Sequence, residues 1–110
     1  MLKKTGQPST GVTMQWLMED RIAENAGLSL ARMTVDPGVT SEAHCHPNCS
    51  EAVHLLSGKV EQRSGERWVE LAAGDTLLIP AGATHQTRNI GGETAVLMVA
   101  YSSGSRVYEA

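Results

Sequence analysis

The sequence has no phenylalanine, and its only aromatic residues are two tryptophans and two tyrosines. A core must therefore be built from Val, Leu, Ile, Met and Ala rather than around large rings. No apolar run is long enough to cross a bilayer as a helix. Basic residues are sparse and scattered, nine against twelve acidic ones, for a formal net charge of −3. That excludes a basic nucleic-acid face and a cationic membrane-surface helix. No glycine-rich phosphate cradle and no fused DNA-binding segment are recognisable. The start, Met1-Leu2-Lys3-Lys4-Thr5, has no apolar stretch behind its lysines. A secretory leader is therefore not expected, and the expectation is a soluble cytoplasmic chain. Cysteine is also scarce. Cys45 and Cys49, with three residues between them, read as free thiols of a reducing compartment. A disulfide or a zinc-thiolate site is the alternative, but alternation along a strand turns Cys45 away from the neighbouring histidines.

No stretch keeps a helical period over three turns. Short strands recur instead, with turn signals about every ten residues, the pattern of an all-β sandwich or barrel. At 110 residues the chain is long enough for one domain with a real core and no staples. Residues 1–11 form a polar lead-in. Val12 to Met18 reads as a first strand, and Met18 to Asn25 as a turn or short helix. Leu28 to Val35 alternates cleanly, with Leu28, Leu30, Arg32 and Thr34 on one face and Ser29, Ala31, Met33 and Val35 on the other. Val60–Arg63 and Arg67–Leu71 flank Ser64-Gly65-Glu66 as a hairpin, with Gly65 at the position that needs positive φ. Thr94 to Tyr101 is a long apolar strand, and 102–110 a polar, partly loose tail. Several strands carry apolar residues on both faces, more than one small barrel can enclose. A homodimer through the outward face of the first sheet is the expectation.

The chemistry concentrates between Gly38 and Gly58. His44 and His46 stand two apart, so an extended backbone projects both from one face. Pro47-Asn48-Cys49-Ser50 is turn chemistry, and a reversal there returns Glu51 opposite the imidazoles. Two neutral nitrogens and a carboxylate on one face make a partial metal site. A further nitrogen is available downstream. The strand-like run Thr76–Ile79 ends at Pro80-Ala81-Gly82, and His85 follows where a new strand begins. His54, in contrast, falls on the outer face of its strand and reads as a sheet-face or subunit-contact residue.

These stretches match the two motifs of the cupin family. The first runs Gly38, five residues, His44, one, His46, four, Glu51, six, Gly58. The second runs Gly74, five residues, Pro80, one, Gly82, two, His85, three, Asn89. The chain thus resembles a small single-domain cupin. The resemblance implies a double-stranded β-helix, or jelly roll, with one divalent metal held by His44, His46, Glu51 and His85.

Three imidazoles and one carboxylate suit manganese, iron, nickel, cobalt or zinc, and leave neighbouring positions open on a six-coordinate ion. The side chains of Asn89, Thr87 and Gln86 are candidates to orient the imidazoles through their second ring nitrogens, although Asn89 reads first as a turn residue. Gly38, Gly58, Gly74, Gly82 and Pro80 read as bend residues. The resemblance implies an enzyme acting on a small organic molecule, among dioxygenases, lyases, isomerases and decarboxylases. A non-catalytic small-molecule-binding barrel and a dimeric scaffold are the competing readings. Gln62, with Arg32 or Met33, is the expected polar lining, and no general acid or base stands out.

Overall fold

The computed structural model describes residues 10–110; of the expected lead-in at 1–11, residues 1–9 lie outside the described residues. Eight strands follow one another: β1 Val12–Met18, β2 Ser29–Val35, β3 Glu51–Ser57, β4 Lys59–Ser64, β5 Arg67–Ala72, β6 Thr76–Ile79, β7 His85–Asn89 and β8 Ala95–Tyr101. They form a five-stranded sheet ordered β1-β2-β8-β3-β6 and a three-stranded sheet ordered β5-β4-β7. Every pairing is antiparallel, and the result is the jelly roll that the sequence implied. The stretch after β1, read as a turn or short helix, is a series of turns with no helix.

Alternation decides which side chains face in. On β2 the buried set is Ser29, Ala31, Met33 and Val35; on β8 it is Ala95, Leu97, Val99 and Tyr101; on β3 it is Glu51, Val53 and Leu55. Arg32 thus points away from the interior, and Met33 takes the inward place. The registers Glu51↔Tyr101, Val53↔Val99 and Leu55↔Leu97 stack these inward residues in rows. The core they form with Val60, Leu71 and Ile79 is aliphatic, as the absence of phenylalanine requires.

Between β3 and β4 a single residue, Gly58, carries the chain from the larger sheet to the smaller. The β3–β8 register slips between Leu55 and Ser57, a bulge that bends the strand towards the corner. Gly58 completes the bend at φ 97°. A Cβ there would lie 2.9 Å from the Ala95 Cα, so both backbone conformation and space demand glycine. Near the same corner, Asn89 Nδ2 donates to the carbonyls of Val35 (2.9 Å) and Glu93 (2.8 Å), and its Oδ1 accepts from the Gly91 amide. Asn89 is therefore a corner brace joining β2, β7 and the turn into β8, and it does not reach an imidazole. The hairpin is as expected: Ser64 pairs Arg67 across a two-residue turn with Gly65 at φ 65°.

The tail, for which polar composition suggested a partly loose end, is tied to the barrel. Cys45 and Glu109 exchange backbone hydrogen bonds of 2.8 and 3.0 Å. Asn48 donates to the Ser105 carbonyl and accepts from the Val107 amide. Residues 105–109 consequently lie along the segment that carries His44 and His46.

Replacing Gly58 by alanine should destabilise the fold by about 2–3 kcal/mol, combining left-handed strain with a backbone clash. Gly82→Ala, at φ 82° with nothing within 4 Å of the added methyl, should cost about 1 kcal/mol. Urea unfolding of both variants tests this; equal losses would show that the close approach at Ala95 is not limiting.

Candidate metal centre

Three elements bring the site together. The segment ahead of β3 is extended through His44 and Cys45, held by isolated bridges rather than a full ladder. His44 and His46 project to the same side as anticipated, with ring centroids 5.0 Å apart. Cys45 turns away, its Sγ 4.0 Å from Glu109 Oε1. Glu51 is the first residue of β3 and His85 the first of β7. His44 and His85 exchange backbone hydrogen bonds, 3.2 and 2.8 Å long, which sets their rings 4.2 Å apart. One nitrogen from each of His44, His46 and His85 falls within a group whose members all lie within 4.8 Å of one another. The Glu51 carboxylate joins this cluster through Oε1, 3.0 Å from His85 Nε2 and 3.6 Å from His46 Nε2.

The backbone sets the tautomers. Nδ1 of His44 lies 2.7 Å from the Glu42 carbonyl, Nδ1 of His46 2.8 Å from the Val107 carbonyl, and Nδ1 of His85 3.1 Å from the Ala83 carbonyl. A carbonyl only accepts, so each Nδ1 carries a hydrogen and each neutral imidazole presents a bare Nε2. The side chains of Asn89, Thr87 and Gln86, considered from sequence as the orienting partners, are spent elsewhere. Thr87 Oγ1 donates to Gln62 Oε1 at 2.6 Å, and Gln86 bonds Arg63 and the Ser41 carbonyl. Three main-chain oxygens do the orienting instead.

This leaves buried polar atoms without partners: Nε2 of His46, Nε2 of His85 and Oε1 of Glu51 have no hydrogen bond. The 3.0 Å contact between the last two is close but poorly aligned. Each such atom costs about 1–3 kcal/mol when unsatisfied, and their convergence is the arrangement a cation would relieve. Electrostatics agree. Burial, aided by the charge on His85, lowers the His44 pKa to about 4; burial also lowers that of His46 to about 4, against the pull of Glu51. Both are neutral donors at neutral pH. Burial alone would lower His85 and raise Glu51, but their mutual contact outweighs it, so His85 is raised and Glu51 lowered. A metal ion bound there would compete with protons for these ligand atoms.

Above the imidazoles is an open-mouthed cavity of about 40 Å³, room for a few water-sized groups. Val12, Met14 and Met33 form its apolar wall, and Ser41, Thr87, Tyr101, Arg106 and Tyr108 are among its polar lining. Gln62, expected in that lining, lies buried behind it and is paired with Thr87. His54 is on the outer face, bonded to Thr76 Oγ1 at 2.7 Å. Cys49 is in the core and neither cysteine is paired.

Three tail residues at the site were missed in the sequence. Tyr108 stacks on His44, with centroids 4.5 Å apart and planes at 17°, and donates to the Glu42 carboxylate. Val107 supplies the carbonyl that orients His46. The Arg106 guanidinium lies 4.4 Å from the Trp16 ring and 5.1 Å from that of Tyr101. Their only signal was an arginine and a tyrosine standing among small polar residues.

The Cupin domain family profile matches residues 31–101. Germin-like protein 3-8 of Oryza sativa subsp. japonica is 32% identical over 82 residues, covering 70% of this chain and 36% of that protein. Oxalate oxidase GF-2.8 of Triticum aestivum is 30% identical over 114 aligned residues, covering 93% of this chain and 51% of the oxidase. The chain thus spans from about a third to a half of the length of these curated relatives. Among solved structures, an uncharacterized conserved protein with a double-stranded β-helix domain from Klebsiella pneumoniae superposes with a TM-score of 0.79 at 22% identity, covering 93% of this chain and 86% of the other.

The metal-free protein should lose stability as pH falls from about 6.5 towards 4. His44 and His46 bind protons more readily unfolded than folded, so their contribution is complete above 6.5 and disappears through the folded value. The lowered Glu51 acts in the same direction below 4.5; the raised His85 opposes, favouring the folded state below its own pKa. Melting temperatures taken across pH 7.5 to 4.5 check the sum, and His46→Gln, which does not titrate, should flatten the curve. An unchanged slope in that variant would remove His46 from the account.

Proposed function

The chain belongs to the cupin family, and on that premise we propose that it is a mononuclear metal-dependent enzyme acting on a small organic molecule. The observation that supports this reading is the convergence of bare imidazole nitrogens and the Glu51 carboxylate, with buried atoms of both left without partners. His44, His46, His85 and Glu51 are the ligands in this proposal, and one divalent ion per chain is the cofactor: manganese, iron, nickel, cobalt or zinc. Bound there, such an ion supplies Lewis-acid polarisation of an oxygen ligand or a centre for dioxygen chemistry. The similarity to an oxalate oxidase favours a small organic acid as substrate, and dioxygenase or decarboxylase chemistry over isomerisation.

The protein's own residues do the positioning. Main-chain carbonyls hold the three rings in one tautomer, and Glu51 stays ionised beside them. Val12, Met14 and Met33 limit water on one side of the cavity. Ser41 and Thr87 are committed to each other's segment, since Ser41 Oγ accepts from the Thr87 amide at 2.9 Å. They shape the cavity floor rather than move protons.

The assembly and location belong to the same proposal. The outward face of the five-stranded sheet carries Leu78, 65% exposed, and Leu56, 46% exposed, in a field with Leu30, Ala52, Met98 and Ala100. A second copy covering this face makes a homodimer. Two unpaired cysteines fit the cytoplasm. Among the described residues no helix is long and apolar enough to cross a membrane.

Elemental analysis of protein prepared without a histidine tag should find about one ion per chain. His44→Ala and His85→Ala should each weaken metal affinity by more than about a hundredfold, beyond the effect typical of an outer-shell partner. Full metal content and unchanged affinity in both variants would refute the shared site. Separately, Leu78→Glu should shift a sedimenting dimer to monomer, and a wild-type monomer at tens of micromolar would remove the dimer.

A further inference from the structure

We propose that Arg106, carried by the C-terminal tail, is the residue that selects an anionic ligand, binding one carboxylate of a small organic acid beside the imidazole cluster. The inference rests on the metal-site reading above and adds to it the residue that reads the charge of the ligand.

Arg106 lines the same cavity as His44, His46, Glu51 and His85. Its side chain is half-buried, and its Nε is fully buried with no hydrogen-bond partner. Among the described residues no carboxylate pairs with it: the ion pairs are Arg21–Glu19, Lys59–Glu70, Arg88–Glu61 and those of Glu51 with His46 and His85. What holds the guanidinium is aromatic. It lies over Trp16 from β1 and beside Tyr101 from β8, contacts that fix the plane of a cation but satisfy none of its N–H donors. Arg88 offers the contrast. Arg88 also sits on a tryptophan, Trp68, yet its Nη1 reaches Glu61 at 3.0 Å. Arg106 keeps the aromatic support and lacks the anion.

A planar fork with unused donors in a confined cavity is built for a carboxylate, which can accept two parallel hydrogen bonds. The local charge favours the same ligand. Of the two carboxylates in the lining, Glu51 is turned towards the imidazoles, and Glu42 accepts from Tyr108. Three neutral imidazoles, one carboxylate and a divalent ion sum to one positive charge, and Arg106 adds another. The cavity volume, about 40 Å³, suits a small ligand. Tail contacts make the placement specific, because Val107 and Tyr108, the next two residues, are bonded to His46 and Glu42. Arg106 cannot leave the cavity without disturbing them.

The test is a calorimetric titration with glycolate and oxalate, and with neutral glycolamide, of cobalt-loaded and metal-free protein; visible cobalt bands give a second readout. Arg106→Gln should weaken carboxylate binding by about tenfold or more while leaving glycolamide binding and cobalt content unchanged. Arg106→Lys keeps the charge but loses the fork, and should fall between, which serves even where Arg106→Gln does not fold. Carboxylate binding that is equal in wild type and both variants, or absent from both protein forms, overturns the inference. Failure to take up cobalt overturns the metal-site reading instead, and Arg106-dependent binding to the metal-free protein would then still support this one.

Discussion

The antiparallel bridge between His44 and His85 joins the segment ahead of β3 to the first residue of β7 through two backbone hydrogen bonds. The segment is too short of ladder partners to be held by either sheet, so this bridge fixes where the first two histidines stand. Thr40↔Arg88 and Cys45↔Glu109 are further isolated pairings of the same segment. Each imidazole is then aimed by a main-chain carbonyl, a partner that cannot rotate away as a side chain can. Preorganisation of the cluster thus comes from backbone geometry, and the cost of orphaned buried nitrogens is the counterpart of keeping them available.

Burial and charge at this cluster pull in opposite directions. Burial lowers His44 and His46 to about 4, whereas the Glu51–His85 contact raises His85 and lowers Glu51 in the same space. The apolar wall of Val12, Met14 and Met33 belongs to β1 and β2, so the strands that build the core also set the polarity above the site.

The tail extends the same logic to the mouth of the cavity. Its backbone pairs with Cys45 and Asn48, its Val107 carbonyl orients His46, its Tyr108 ring stacks on His44, and its Arg106 adds a cation to the cavity lining. Family membership accounts for residues 31–101, and Arg106 and Tyr108 lie outside that match.

Much was legible in the sequence because it is local. Alternation on β2 and β3, the turn at Gly65, the bends at Gly58 and Gly82, and the spacing of His44, His46, Glu51 and His85 follow from two-residue periodicity and from the few residues that tolerate positive φ. The aliphatic core follows from composition. Other features depend on which distant segments meet, and no local rule carries that. The face of β2 that lines the interior was ambiguous, because both faces offered apolar side chains. Side-chain amides and hydroxyls near His85 looked like its orienting partners, but Thr87 and Asn89 were needed by Gln62 and by the Val35 corner. The role of the tail was invisible for the same reason. Polar composition reports exposure on average, whereas Val107 and Tyr108 act through contacts with residues about sixty or more positions away, and Arg106 through the ring of Trp16. The sequence by itself determined the strand order along the chain and which residues were candidates for the site. Only the tertiary structure decided the tautomers and the charge at the cavity mouth, because both are set by atoms that come together after the sheets close.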